Sequence, residues 1–287
     1  MSKPGILAHN FGRLPLEELA DRVSAAGLAT VQLALAKALS DVDSTTGKLS
    51  PGLANHVGEA FAKRGVRIAS LGCYINPVHP DPEQRKQELR RFKEHLRFCR
   101  DFGCSVVATE TGKLSTFQAA EPGRYEEKAF ETLRSSVLEL AEEADKWGVT
   151  VGIEPAYTLV IHSTESMLRL LEEVPTSTLG VVLDPCNLLN ASILDRQHQV
   201  ISEAFDALAD RTVLFHAKDI RKNASGGTEY TPLGTGELDY AHFLRLVQER
   251  KPFCDITMEG LEPDQIAPSL DYFRKVWNEV EALGAVR

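Results

Sequence analysis

The sequence predicts an α/β fold with the unit count of a closed (β/α)8 barrel, and three observations lead there. Eight short, β-branched apolar runs recur along the chain, longer amphipathic stretches separate them, and no Gly/Ser-rich linker or low-complexity tract intervenes. A length of 287 residues allows two domains of about 150 each, but single α/β barrels run to about 250, and the absence of a break favours one domain over residues 1–287. Periodicity alone also permits a doubly wound sheet split in two.

The elements follow in order. GILAH (5–9) is the first run; Pro15 then opens the helix LEELADRVSAAG, and Gly27 is placed to close it. TVQLAL (30–35) and VRIASLG (66–72) are the second and third runs. Asp81 and Pro82 open the long helix EQRKQELRRFKEHLRFCRDFG, whose arginines are interspersed with Glu83, Glu88 and Glu94 as on a solvated face. SVVATE (105–110) and VTVGIE (149–154) come next, and Ser163 to Glu165 cap the helix SMLRLLEEV. LGVVLD (179–184) and TVLFHA (212–217) are the sixth and seventh runs. The long connection RKNASGGTEYTPLGTGELD (221–239) reads as a lid or substrate-binding segment closed by a turn at its GTG, before the eighth run, CDITME (254–259).

Composition narrows the function. Hydrophobic residues at 43% and charged residues at 25% are globular values. Against 41 Asp and Glu stand 32 Lys and Arg, a formal charge of −9, which argues against a nucleic-acid footprint. No apolar run approaches the length of a membrane span, and MSKPGILAHN lacks the pattern of a secretory signal, so a cytoplasmic location is expected. The five cysteines are odd in number and contain no CxxC pair; they are expected to be reduced and buried.

The chemistry is written at the ends of the runs. Runs four to eight end in, or one residue before the end carry, Glu110, Glu154, Asp184, His216 and Glu259. Ionisable groups at the end of a buried strand are costly unless paired or bound to a metal. In a barrel the C-terminal strand ends converge on one mouth. The intervals from Glu154 to Asp184, on to His216 and on to Glu259 are 30, 32 and 43 residues, each about one unit, so three carboxylates and one imidazole meet. Left alone the carboxylates repel, whereas one divalent cation neutralises them. Mixed oxygen and imidazole ligands suit Mn²⁺ first, with Co²⁺, Mg²⁺ and Zn²⁺ also allowed. For Glu110 taken alone, a structural and a substrate-facing role stand level.

Jointly, GIEPAY around Glu154, VLDPCNLL around Asp184, FHAKD around His216 and TMEG around Glu259, with NPVHPDPEQR after the third run, resemble the xylose isomerase-like superfamily of sugar isomerases, epimerases and inosose dehydratases. The resemblance covers essentially the whole chain and implies a single (β/α)8 TIM barrel. It also implies one divalent metal held by Glu154, Asp184, His216 and Glu259, with Glu154 and Glu259 as an acid/base pair on opposite faces of the substrate. Compared with ketose 3-epimerases, Asn187 stands where a histidine is usual, and Lys218 with Asp219 follows His216 where those enzymes have an arginine-bearing segment. The HxKD segment is more similar to inosose dehydratases. Lys218 is expected to face the substrate, with Asp219 orienting it; Asn187 to bind a substrate hydroxyl; His9 and His79 to reach the mouth or remain loop histidines.

The leading expectation is therefore a metal-dependent isomerase or epimerase of a small sugar or polyol ketone, working through an enediolate. A lyase of the inosose or 3-keto-sugar dehydratase type is the alternative on the same site. Apurinic-site endonuclease chemistry and a non-catalytic sugar-binding barrel rank below both. A homodimer or homotetramer is expected from the resemblance.

Overall fold

The computed structural model describes residues 4–118 and 125–284. Its barrel strands are β1 (Gly5–Leu7), β2 (Thr30–Leu33), β3 (Arg67–Gly72), β4 (Val106–Glu110), β5 (Thr150–Glu154), β6 (Leu179–Leu183) and β7 (Thr212–Ala217). After a hairpin of β8 (Asp219–Lys222) and β9 (Thr228–Thr231) comes the last barrel strand, β10 (Ile256–Met258). All eight barrel strands pair in parallel, and β1 pairs with both β2 and β10 to close the circle. This is the predicted (β/α)8 TIM barrel.

Ten α-helices are described: α1 (Leu16–Ala25), α2 (Leu35–Ala38), α3 (Pro51–Ala62), α4 (Pro82–Phe98), α5 (Ser115–Gln118), α6 (Tyr125–Trp147), α7 (Thr164–Glu173), α8 (Gln197–Leu208), α9 (Tyr240–Arg250) and α10 (Ile266–Gly284). Their starts follow the expected local chemistry. At α4, Asp81 accepts the Glu83 N–H at 2.9 Å, with Pro82 at the first helical position, where its missing donor costs nothing. At α7, Ser163 accepts from the Ser166 N–H at 3.2 Å, and the Ser166 hydroxyl accepts from the Ser163 N–H at 3.0 Å. The reciprocal partner in that capping box is thus Ser166, one residue beyond the expected Glu165.

Three boundaries differ from expectation. Ala8 to Phe11 form a 3-10 turn, so the first run stops being strand before His9. Leu35 begins the short α2. The connection at 221–239 is ordered rather than irregular: β8 and β9 pair antiparallel from Asp219–Thr231 to Lys222–Thr228. Asn223 makes that turn, its side-chain oxygen accepting from the N–H groups of Ser225 and Gly227. Two cysteines, Cys104 and Cys254, are only partly buried, correcting the expectation for those two.

The apolar residues divide into two layers. The larger lies between the strands and the surrounding helices, from Ile6 to Val280. A smaller cluster of Ala108, Val182 and Leu214 fills the barrel interior. Among the described residues, no helix is long and apolar enough to cross a membrane.

Candidate metal centre and active site

Strand pleating converts the interior layer into a site. Side chains alternate faces along a strand, so residues two apart share one face. Ala108, Val182 and Leu214 point into the barrel; two residues on, one pleat nearer the C-terminal mouth, stand Glu110, Asp184 and His216. Glu154 ends β5 opposite Glu110 in the β4–β5 register. Gln32 lies on β2 and Glu259 directly follows β10. Parallel closure thus sets side chains from distant parts of the chain around one axis.

Glu154, Asp184, His216 and Glu259 each offer one ligand atom, all within 4.8 Å of one another. His216 and Asp184 have no solvent-exposed surface. His216 Nδ1 lies 3.0 Å from Glu154 Oε1 and 2.7 Å from Glu259 Oε2. Lys218, two residues past His216 on the same side, brings its Nζ to 3.3 Å from Asp184 and 3.0 Å from Glu259 Oε1.

The electrostatics are those of a crowded buried cluster. Burial alone would lower the His216 pKa, but Glu154 and Glu259 outweigh it and raise it to about 10. Burial opposes ionisation of Glu259 too, yet Lys218 and then His216 hold its carboxyl well below the usual carboxylate range. Asp184 is pushed up, burial exceeding the opposite pull of Lys218. Lys218 itself stays protonated because Glu259, Asp184 and Glu154 more than offset its burial.

The donor set fits a divalent cation. Asp184 Oδ2 and Glu259 Oε2 are buried and accept no hydrogen bond, although Lys218 and His216 come within ion-pair distance of them; the approach is off the hydrogen-bonding direction. Such orphaned lone pairs cost about 1–3 kcal/mol each unless another partner takes them. In the protonation state that ligation requires, three ionised carboxylates (−3), a neutral imidazole and the Lys218 ammonium (+1) would leave −2, which one divalent cation cancels.

Residues absent from the motif set complete the surroundings. His216 Nε2–H donates to Gln32 Oε1 at 2.8 Å, and Gln32 Nε2 donates to the Tyr74 hydroxyl at 3.1 Å. Gln32 therefore fixes the ring so that Nδ1 faces the three carboxylates. Its signal in the sequence was a single amide inside the apolar run TVQLAL. Gln32→Leu should weaken Mn²⁺ binding by about 10–100-fold in a calorimetric titration. Unchanged affinity would remove Gln32 from the support of the centre.

Asn187 is held at the mouth by three partners. Its Nδ2 donates to Glu154 Oε1 at 2.7 Å, and its Oδ1 accepts from Lys218 at 3.2 Å and from the Tyr230 hydroxyl at 2.7 Å. The second Nδ2 N–H makes no hydrogen bond among the described residues. Tyr230 comes from β9, so the hairpin covers this side of the centre, its ring centroid 4.9 Å from Lys218 Nζ. Asp219 serves the loop rather than Lys218. Its carboxylate accepts four backbone N–H groups, from Ile220, Gly234, Gly236 and Leu238. A Cβ at Gly236 would lie 2.2 Å from Asp219 Oδ1, so only glycine permits that approach.

The other predicted residues are placed at differing distances from the chemistry. Glu110 stands exposed at the rim; desolvation by the surrounding protein, then Glu154 and Glu259, push its carboxyl up. His79 lies on the loop before α4, its Nδ1 accepting the Asp81 N–H at 3.1 Å, with no hydrogen bond or ion pair to the cluster among the described residues. His9 meets the Tyr74 ring edge-on, with centroids 6.4 Å apart, and its Nδ1 is buried without a partner. Burial, then Lys37, lower its pKa to about 4. A histidine whose folded pKa is depressed contributes stability above its unfolded value near 6.5, and that contribution is lost as pH falls through about 4. The Tm advantage of the wild type over His9→Gln should therefore shrink between pH 7 and pH 4.5 in thermal denaturation. A constant difference would assign the acid sensitivity elsewhere.

Comparison with known proteins agrees with the fold. A family model of the xylose isomerase-like TIM barrel matches residues 20–276. A D-tagatose 3-epimerase-like protein superposes with a TM-score of 0.77 at 15% identity, covering 98% of both chains. 3-Keto-D-glucoside 4-epimerase from E. coli gives 0.74 at 16% identity, over 96% of this chain and 100% of that one. A xylose isomerase-like TIM barrel protein from Mycobacterium smegmatis, in complex with magnesium, gives 0.70 at 16% identity, over 98% and 97%. No curated protein matches the chain by sequence.

Proposed function

The chain belongs to the xylose isomerase-like TIM-barrel family, and from that premise we propose that it is a divalent-metal-dependent isomerase or epimerase of a small ketose or related polyol ketone. The observation that carries this reading is the convergence of Glu154, Asp184, His216 and Glu259 within 4.8 Å, with two buried carboxylate oxygens left without a hydrogen bond. A bound divalent ion, Mn²⁺ by preference, would supply Lewis acidity toward a carbonyl and its neighbouring hydroxyl.

The protein's own groups supply the rest. Glu154 and Glu259 approach the same His216 nitrogen from β5 and from the end of β10, strands separated in the barrel by β6 and β7. One removes the proton beside the carbonyl and the other returns a proton from the opposite face, inverting the carbon. Asn187 orients Glu154, and Lys218 holds Glu259. The Lys218 ammonium is a fixed positive charge where the enediolate oxygens gain negative charge.

A second reading, dehydration, begins with the same proton removal and then expels a β-hydroxyl. It is favoured by the Tyr230 hydroxyl and the Lys218 ammonium, two donors meeting at Asn187 Oδ1. Both are poorly tuned as acids: burial holds the Tyr230 phenol above its ordinary value, and the carboxylates hold Lys218 protonated. This places epimerisation first.

The deciding experiment incubates the Mn²⁺-loaded protein in D₂O with a panel of ketoses and inososes, removes the metal, and reads the products by NMR. Deuterium next to the carbonyl with a new diastereomer is the expected result. Loss of water would establish the lyase. No exchange across the panel would count against both. Tyr230→Phe should leave Mn²⁺ affinity unchanged and raise KM about 10-fold, the scale of one lost hydrogen bond; an unaltered KM would place the hairpin outside substrate recognition.

A further inference from the structure

Far from the carboxylate cluster, the C-terminus of α4 brings two thiols together. Cys99 and Cys104 are both free, and their sulfurs lie 3.4 Å apart. The backbone explains the approach. The Cys104 N–H donates to the Cys99 carbonyl at 3.3 Å, the Gly103 N–H donates to the Arg100 carbonyl at 2.9 Å, and Gly103 has φ +83°. These are the two nested hydrogen bonds and the left-handed glycine of a Schellman turn, which sets the third residue from the helix end against the second residue past it. An apolar contact commonly fills that position, and here it is a thiol pair.

The two sulfurs differ in access. Cys99 is buried, whereas Cys104 is partly exposed and lines a cavity of about 410 Å³ together with Arg67, Arg100 and Asp255. The hydrogen bond with Cys104, then burial, push the Cys99 thiol up.

We propose that Cys99 and Cys104 are a peroxide-sensitive dithiol that closes to an intramolecular disulfide at the end of α4. The Cys104 thiolate attacks one peroxide oxygen, forming an S–O bond as the O–O bond breaks, and the released hydroxide takes up a proton to become water. Cys99, deprotonated as it reacts, attacks the Cys104 sulfur; the S–S bond forms, the S–O bond breaks, and a second water leaves. Two thiols are oxidised and one hydrogen peroxide is reduced to two waters. The remaining cysteines, Cys73, Cys186 and Cys254, have no sulfur neighbour among the described residues and take no part.

The test treats the metal-loaded full-length protein with a modest excess of hydrogen peroxide, blocks free thiols, and digests with trypsin. Cleavage at Arg97, Arg100 and Lys113 places Cys99 in residues 98–100 and Cys104 in residues 101–113, so the disulfide appears as a cross-link between those two peptides. Thiol counting under denaturing conditions should fall from five to three and return to five with a reductant. Cys104→Ser should abolish the cross-link, and Cys254→Ser should leave it in place. Five thiols after treatment, over-oxidation of Cys104 without the cross-link, or pairing with Cys73, Cys186 or Cys254 would each overturn the proposal. The readout is chemical and independent of turnover, so a failed sugar assignment leaves it standing.

Discussion

Glu154→Gln and Glu259→Gln, each assayed with the metal site loaded to full occupancy, are expected to lower the rate of epimerisation by about 10²–10⁴-fold, the usual contribution of a positioned acid or base. The amide keeps the volume and one oxygen donor of the carboxylate but cannot take a proton near neutral pH. At position 154 the Asn187 contact on Oε1 can persist, so the loss reads the chemistry rather than a rearranged site. At position 259 Lys218 loses one of its two carboxylate partners and keeps Asp184. The two variants should also differ from each other. With the returning acid removed, one epimer still exchanges its proton but the other does not form; with the abstracting base removed, exchange of that epimer stops. Occupancy is checked by elemental analysis on the assayed samples. A fully occupied variant that retains wild-type epimerisation would sink the two-glutamate mechanism.

His216→Ala should bind divalent metal at least about 100-fold more weakly and lose the thermal stabilisation that metal confers. A ligand present at 100 times its Kd stabilises the folded state by about 2.7 kcal/mol, worth about 5 °C in Tm for a chain of this size. The wild type should show that shift with Mn²⁺, and the variant should not. The substitution also leaves Gln32 Oε1 without its donor and opens a cavity at a site with no exposure, so a lower baseline Tm is expected in both the presence and absence of metal. The informative quantity is the metal-induced difference within each protein. Equal shifts would exclude His216 from the ligand set.

Much of this arrangement was legible because it follows from periodicity. The ionisable residues of runs four, six and seven fall one pleat above the inward layer of Ala108, Val182 and Leu214, a relation carried by alternation and independent of detailed packing. Asp81 and Ser163 were readable as caps because their hydrogen bonds are local. What local reasoning left out depends on contacts between distant segments. Gln32 gains its meaning only when β2 and β7 face each other across the barrel, a sequence separation of 184 residues. Tyr230 sits on a hairpin whose strands, DIRK and TEYT, are mostly polar, with Ile220 buried in the apolar core, so they carry no apolar alternation. Asp219 looked like a partner for Lys218 by adjacency, but adjacent residues on a strand face opposite ways. The five-residue separation of Cys99 and Cys104 matches no metal or redox spacing and becomes a contact only through the turn at Gly103.

The four hydrogen bonds on Asp219 bear on how this scaffold can diversify. One carboxylate gathers the entry of the excursion at Ile220 and its exit at Gly234, Gly236 and Leu238. The segment between those two points adds contacts of its own, Lys222 Nζ with Asp195 and the Tyr230 hydroxyl with Asn187 Oδ1. Asp219 therefore fixes where the excursion leaves and rejoins the barrel, whereas the residues between, Tyr230 among them, decide what stands beside Asn187 and Lys218.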